Sequence, residues 1–233
     1  MPGKNFSLTG HRGAAALEPE NTLPSFLKAY ECGATGIEFD VRLTRDGVVV
    51  AHDDELERVA GVKGRVSEKT YSELLGVRVG GRARIPTLRE VLSLAKGRLS
   101  VDIELKVVGA EAEVVDSLRE LRMVDDALVT SFVPEALRRV KELAPEVSVG
   151  VLLEEWDDEY LEIAEKLGAE ALLPYYEALS RDLVERIKKR GFKVITWTVD
   201  DPEVAERLYR LGIDGVITDD PCLLARRLRF TGG

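Results

Sequence analysis

The stretch GIEFDVRLTRDGVVVAHDDE, residues 36–55, decides the fold. Its first eight residues alternate, so Glu38 and Asp40 share one side of a strand while Ile37, Phe39 and Val41 take the other. An apolar face of this kind packs against helices in a barrel, which leaves the carboxylates pointing inward. The run VDIELK (101–106) repeats the pattern, with Asp102, Glu104 and Lys106 opposite Val101, Ile103 and Leu105. Between the two, RDG (45–47) is a turn signal and VVVAH (48–52) a short extra strand tipped by His52.

Six further strands are predicted: FSLTG (6–10), ALVTSF (127–132), VSVGVLL (147–153), ALLPYY (171–176), KVITWTV (193–199) and DGVITD (214–219). Runs with helical spacing separate most of them, several ending in the glycine expected just past a helix. Eight strands in this alternation predict an α/β fold, a (β/α)₈ TIM barrel, in one domain over residues 1–233. An open doubly wound sheet is the alternative, since a sequence does not display closure. Residues 53–85 read as a short insertion after strand two, at the C-terminal face where barrel active sites lie. Cys32 ends the first predicted helix and Cys222 begins the last. Parallel neighbouring helices would hold these thiols at opposite ends of the barrel, so no bridge is expected.

Composition narrows the partners. A net charge of −9 argues against a nucleic-acid or anionic-membrane surface. No apolar run is long enough for a membrane span and the N-terminus lacks a signal-peptide core, so a cytoplasmic location is expected. Asparagine occurs only at 5 and 21, glutamine is absent and 32% of residues are charged, a pattern suited to a thermophilic protein. Oligomeric state stays open.

Inward carboxylates are costly unless paired or bound to a cation. Glu38, Asp40 and Glu104 make an oxygen-rich site for a hard divalent ion, Mg²⁺ or Ca²⁺, with Mn²⁺ as a third option. A structural ion-pair network with Lys106 and arginines is the bland reading, and for one E-x-D it would win. Two acidic strands beside one tipped by His11-Arg12 favour a site. His11 and His52, the only histidines, fall at strand ends on that face and suit acid–base work. Arg12 offers a planar fork for an anion, and Lys106 an ammonium for a phosphate oxygen. Asp102, a step deeper, takes a supporting role. PENTLPSF (19–26) reads first as helix capping by Asn21 or Thr22, and Asp219 and Asp220 likewise. Trp197 is core or an apolar substrate wall.

These segments, HRG (11–13), PENT (19–22), IEFDV (37–41), DGVVVAHD (46–53), IPTLREVL (85–92), IELK (103–106), TSF (130–132), TWTV (196–199) and GVITDDP (215–221), together resemble the glycerophosphodiester phosphodiesterase family. That family lies within the phosphatidylinositol-phospholipase-C-like barrel superfamily. The resemblance implies His11 and His52 as the acid–base pair, and Glu38, Asp40 and Glu104 as ligands of one divalent metal ion. It implies substrate contacts by Arg12 and Lys106, with Trp197 at the pocket wall. The expected reaction is metal-dependent hydrolysis of a small glycerophosphodiester to glycerol-3-phosphate and an alcohol. Asp102 departs from the pattern, since the family often has asparagine there. Rival readings are a lysophospholipase-D-type phosphodiesterase on the same scaffold, a non-catalytic metal- or phosphate-binding barrel, and metal-assisted proton abstraction on a carbonyl substrate.

Overall fold

A computed structural model describes residues 6–230. Its strands are β1 (Ser7–Gly10), β2 (Gly36–Leu43), β3 (Val48–Val50), β4 (Ser100–Leu105), β5 (Ala127–Ser131), β6 (Ser148–Leu153), β7 (Ala171–Pro174), β8 (Lys193–Thr196) and β9 (Gly215–Thr218). Among the described residues all but β3 are parallel and close into an eight-stranded barrel, sealed where β1 pairs with both β2 and β9. The open-sheet alternative is thereby excluded. β2 outruns its neighbour β1, and β3 covers the spare edge antiparallel at Val41–Leu43.

The helices are α1 (Leu23–Glu31), α2 (Glu57–Ala60), α3 (Tyr71–Leu74), α4 (Leu88–Ala95), α5 (Glu111–Leu121), α6 (Pro134–Leu143), α7 (Glu159–Leu167), α8 (Arg181–Lys189), α9 (Pro202–Leu211) and α10 (Pro221–Phe230). Local chemistry sets their ends. Thr87 and Glu90 form a reciprocal capping box on α4, while Gly168 and Gly212 end α7 and α9 in the left-handed conformation. Ile37, Phe39, Val41, Val101, Ile103 and Leu105 are buried outside the barrel within the main apolar cluster. The interior divides in two. Leu152, Ala171, Leu173 and Ile217 fill one half with a separate apolar cluster. Glu38, Asp40, Asp102 and Glu104 occupy the other, on β2 and β4.

The segment between β3 and α4 has its own apolar cluster, built on Val49, Leu56, Val66, Leu74, Val79 and Ile85. It packs at the C-terminal end of the barrel against the loop after β1, through Arg82 with Glu18 and Arg58 with Glu20.

The expectation for the cysteines is overturned: Cys32 and Cys222 form a disulfide, with Cα atoms 4.5 Å apart and 190 residues between them in sequence. The stagger of the barrel explains it. Gly36, where β2 begins, pairs with Thr9, and Thr218, where β9 ends, pairs with Gly10 one residue higher. Cys32 lies four residues before the first and Cys222 four after the second, so both sit at nearly the same height. α1 never descends to the bottom of the barrel; Ala29 is still level with Gly10.

A bridge across so long a loop stabilises chiefly by restricting the unfolded chain, by about 2–4 kcal/mol. Reduction, or Cys32→Ser, is expected to lower the melting temperature by about 5–15 °C in calorimetry. Two titratable thiols in the native, unreduced protein would contradict the bridge.

Candidate active site

β2 and β4 pair in register with Glu38 opposite Asp102 and Asp40 opposite Glu104. This stacks the four carboxylates inside one quarter of the barrel. One oxygen from each of Glu38, Asp40 and Glu104 lies within 4.8 Å of the others. Burial, aggravated by Asp40 and Glu104, pushes the Glu38 carboxyl well above its ordinary range. Burial and Asp40 likewise raise Glu104 to about 7, with Lys106 opposing. Burial raises Asp102 to about 7 despite a hydrogen bond from Thr130 Oγ1 at 2.6 Å. Asp40 is the exception: burial opposes its charge, but Arg12, Lys106 and His52 around it hold its carboxyl below the usual range. Glu38 Oε1 and Asp40 Oδ1 are buried without a hydrogen-bond partner, a costly state that a bound cation would relieve. Two cations, Arg12 and Lys106, face this cluster. They do not balance its carboxylates.

The loop after β1 supplies the next groups. A Cβ at Gly10 would lie 2.3 Å from the Gly13 carbonyl oxygen, so only glycine permits the turn that follows. Arg12 takes the left-handed conformation at φ 51°, and its backbone N–H donates to Glu38 Oε2 at 2.8 Å. Its side chain donates from Nη1 to Glu20 Oε1 at 2.9 Å and holds Nε 3.4 Å from Asp40 Oδ2. His11 Nδ1 lies 2.7 Å from Asp219 Oδ1, and Nε2 lies 4.0 Å from Glu38 Oε2.

Three side chains read as helix caps do other work. Asn21, buried and at φ 56°, donates from Nδ2 to Asp40 Oδ2 at 2.8 Å and accepts from the Asp40 backbone N–H at 3.3 Å. Thr22 is the N-cap of α1, yet its hydroxyl donates to the Pro19 carbonyl instead of capping. Asp219 orients His11, whereas Asp220 does cap, accepting from Leu223 N–H at 2.9 Å.

His52, at the end of the extra strand, has Nδ1 2.6 Å from Asp53 Oδ1 and Nε2 3.2 Å from Lys106 Nζ. Burial, with Arg12 and Lys106, lowers its pKa against the pull of Asp40 and Asp53. Lys106 Nζ donates to Glu104 Oε1 at 2.7 Å, lies 3.6 Å from Asp40 Oδ1 and stands 5.9 Å from the centre of the Phe132 ring. Phe132 meets Trp197 edge-on, with ring centres 5.5 Å apart, and Tyr175 lies 5.4 Å beyond Trp197. Seven of the eight predicted site residues therefore form one contact network, and Trp197 joins it through Phe132. Ser131 is structural: its hydroxyl donates to the Leu105 carbonyl and accepts from Val133 N–H.

The profile of the glycerophosphoryl diester phosphodiesterase family matches residues 11–223, nearly the whole of this network and fold. The chain belongs to that family. A glycerophosphodiester phosphodiesterase of Caldanaerobacter subterraneus subsp. tengcongensis is 37% identical over 95% of this chain and 97% of its own. Among solved structures, an Oleispira antarctica phosphodiesterase in complex with the product sn-glycerol-3-phosphate superposes with a TM-score of 0.90 at 28% identity, covering 96% of each chain. The glycerophosphodiester phosphodiesterase of Thermotoga maritima gives 0.80 at 32% identity, covering 95% of this chain and 97% of that one. As a member of this family the chain is an enzyme, a phosphoric diester hydrolase, and its acidic cluster is the candidate metal centre. Among the described residues no helix is long and apolar enough to cross a membrane.

The crowded carboxylates make a pH signature. A carboxyl whose folded pKa stands above its unfolded value binds an extra proton in the folded state between the two, so stability falls as pH rises through that window. For Glu104 the window runs from 4.5 to about 7. In protein stripped of divalent ions, Glu104→Gln is therefore expected to gain stability over wild type progressively from pH ~5 to pH ~7.5. Thermal melts across that range check it, and a constant difference would contradict the crowding.

Proposed function

We propose that this chain hydrolyses glycerophosphodiesters to glycerol-3-phosphate and an alcohol, using one divalent ion and the histidine pair His11 and His52. The observation that carries this reading is shared by both imidazoles. Each has Nδ1 against a carboxylate, Asp219 or Asp53, and turns Nε2 to the site, 4.0 Å from Glu38 Oε2 for His11 and 3.2 Å from Lys106 Nζ for His52. A carboxylate accepting the Nδ1 proton fixes the tautomer and stabilises the imidazolium when it forms.

Glu38, Asp40 and Glu104 would hold the ion, and the orphaned buried oxygens of Glu38 and Asp40 and the all-oxygen chemistry fit a hard cation such as Mg²⁺, Ca²⁺ or Mn²⁺. When bound, that ion supplies charge stabilisation to the phosphate oxygens. Arg12 presents Nη2, which has no hydrogen-bond partner among the described residues, to the same anion. Lys106 adds its ammonium from beside Glu104. One neutral histidine takes the proton of the attacking hydroxyl as its oxygen bonds to phosphorus. The other, protonated, gives its proton to the alcohol oxygen as the second P–O bond breaks. Trp197, Phe132 and Tyr175 form an aromatic wall for the organic part of the substrate. The product bound in the Oleispira antarctica relative is the one expected here.

Phosphorus NMR of glycerophosphocholine with added Mg²⁺, Ca²⁺ or Mn²⁺ is expected to show glycerol-3-phosphate appearing, and a chelator to stop it. His11→Ala and His52→Ala should each cost about 10²–10⁴ in rate. Full activity in both variants, or turnover indifferent to chelation, would defeat the reading.

A further inference from the structure

Among the described residues, the guanidinium of Arg58 touches the supports of both sides of the site. It lies on α2, in the segment between β3 and α4, far from β2 and β4 in the chain. Nη1 and Nη2 clamp the two oxygens of Glu20 in parallel, each at 2.7 Å, and Nε donates to Asp53 Oδ2. Glu20 is the acceptor for Arg12, and Asp53 is the carboxylate against His52. A continuous chain of charge-assisted bonds therefore runs Arg12–Glu20–Arg58–Asp53–His52. No contact joins Arg58 to Glu38, Asp40, Glu104 or Lys106 among the described residues.

We propose that Arg58 is a positioning residue for phosphodiester cleavage: by bridging Glu20 and Asp53 it fixes the anion fork of Arg12 and the imidazole of His52 relative to each other. This rests on the function proposed above. Three features set the clamp apart from an ordinary surface ion pair, whose worth is small. Its geometry is bidentate, the form in which a planar guanidinium gains most from a carboxylate. It belongs to a network of four charged groups that ends on the His52 imidazole. It also joins two segments that the sequence brings in separately, the PENT loop after β1 and the tip of β3. Leu56, two residues earlier, is buried in the apolar cluster of that segment, and Gly61 closes α2, so the guanidinium is presented from an anchored turn. Arg58 holds Glu20 and Asp53 ionised, both carboxyls lying below their usual range. An unclamped Glu20 would swing and carry the Arg12 guanidinium with it, and an unclamped Asp53 would let the His52 ring rotate.

The side chain of Arg58 is half exposed, so its removal leaves the core intact. Arg58→Ala is expected to lower kcat/KM for glycerophosphocholine by about 10- to 100-fold, the scale of a small misplacement of reacting groups. Its melting temperature should stay within about 4 °C of wild type. Millimolar guanidinium should restore much of the lost activity to Arg58→Ala, whereas Arg58→Lys should stay impaired because an ammonium cannot hold both carboxylates in one plane. Activity within about twofold of wild type in Arg58→Ala would overturn the proposal, as would a loss that Arg58→Lys repairs and guanidinium does not. A readout independent of substrate separates this from the function itself. With only two histidines in the chain, the low-field Nδ1 proton of His52 is open to direct assignment by NMR. Its loss in Arg58→Ala supports the clamp even for a wild type that leaves glycerophosphocholine untouched, and its persistence unchanged overturns it.

Discussion

Charge crowding inside one half of the barrel governs the rest of this structure. Register places Asp40 beside Glu104 and Glu38 beside Asp102, and the strand alternation that buries Phe39 and Ile103 outside forces all four carboxylates inside. Such a cluster is tolerated only when cations offset it. Arg12 and Lys106 offset part of it, and the unpartnered oxygens of Glu38 and Asp40 mark what is left over. The same deficit that strains the fold makes this cluster the candidate metal centre.

Around that cluster the molecule is organised as a set of supports. Asn21 clasps Asp40 from both its polar atoms, Asp219 and Asp53 each hold an imidazole, and Glu20 holds Arg12. Each support comes from a loop at the C-terminal face, while the groups it orients come from β2 or from the residues just after β1 and β3. The Cys32–Cys222 bridge joins the helices that follow the Arg12 loop and the Asp219 loop, so it ties together two of these supports from outside the barrel. The apolar half of the interior, with Trp197 at its margin, supplies a rigid wall opposite the acids.

Period-two alternation made the strands readable, and β2 spans the predicted residues 36–43 without change. The carboxylates and Lys106 share a face by the same alternation, whereas His11, Arg12 and His52 are marked only by their place at strand ends. Residues acting through a distant partner were harder. Asn21 and Asp219 have adequate local explanations as helix caps, and nothing near them in sequence names Asp40, 19 residues away, or His11, 208 away. Arg58 is an unremarked arginine in a charged stretch until folding brings Glu20 and Asp53 to it. The sequence hides the disulfide because a helix between two parallel strands ordinarily spans the barrel's height. Staggered pairing of β1 with β2 removes most of that descent.

The most direct test of the account is calorimetric titration of Mg²⁺, Ca²⁺ and Mn²⁺ into chelator-stripped protein near pH 7, repeated in buffers of different ionisation enthalpy. Since Glu104 titrates at about 7 in the absence of an ion, binding should release protons to the buffer. One ion should bind per chain with release of protons, and both should be lost in Glu38→Gln and Asp40→Asn. Absence of binding for all three ions, or binding that survives both substitutions unchanged, would contradict it.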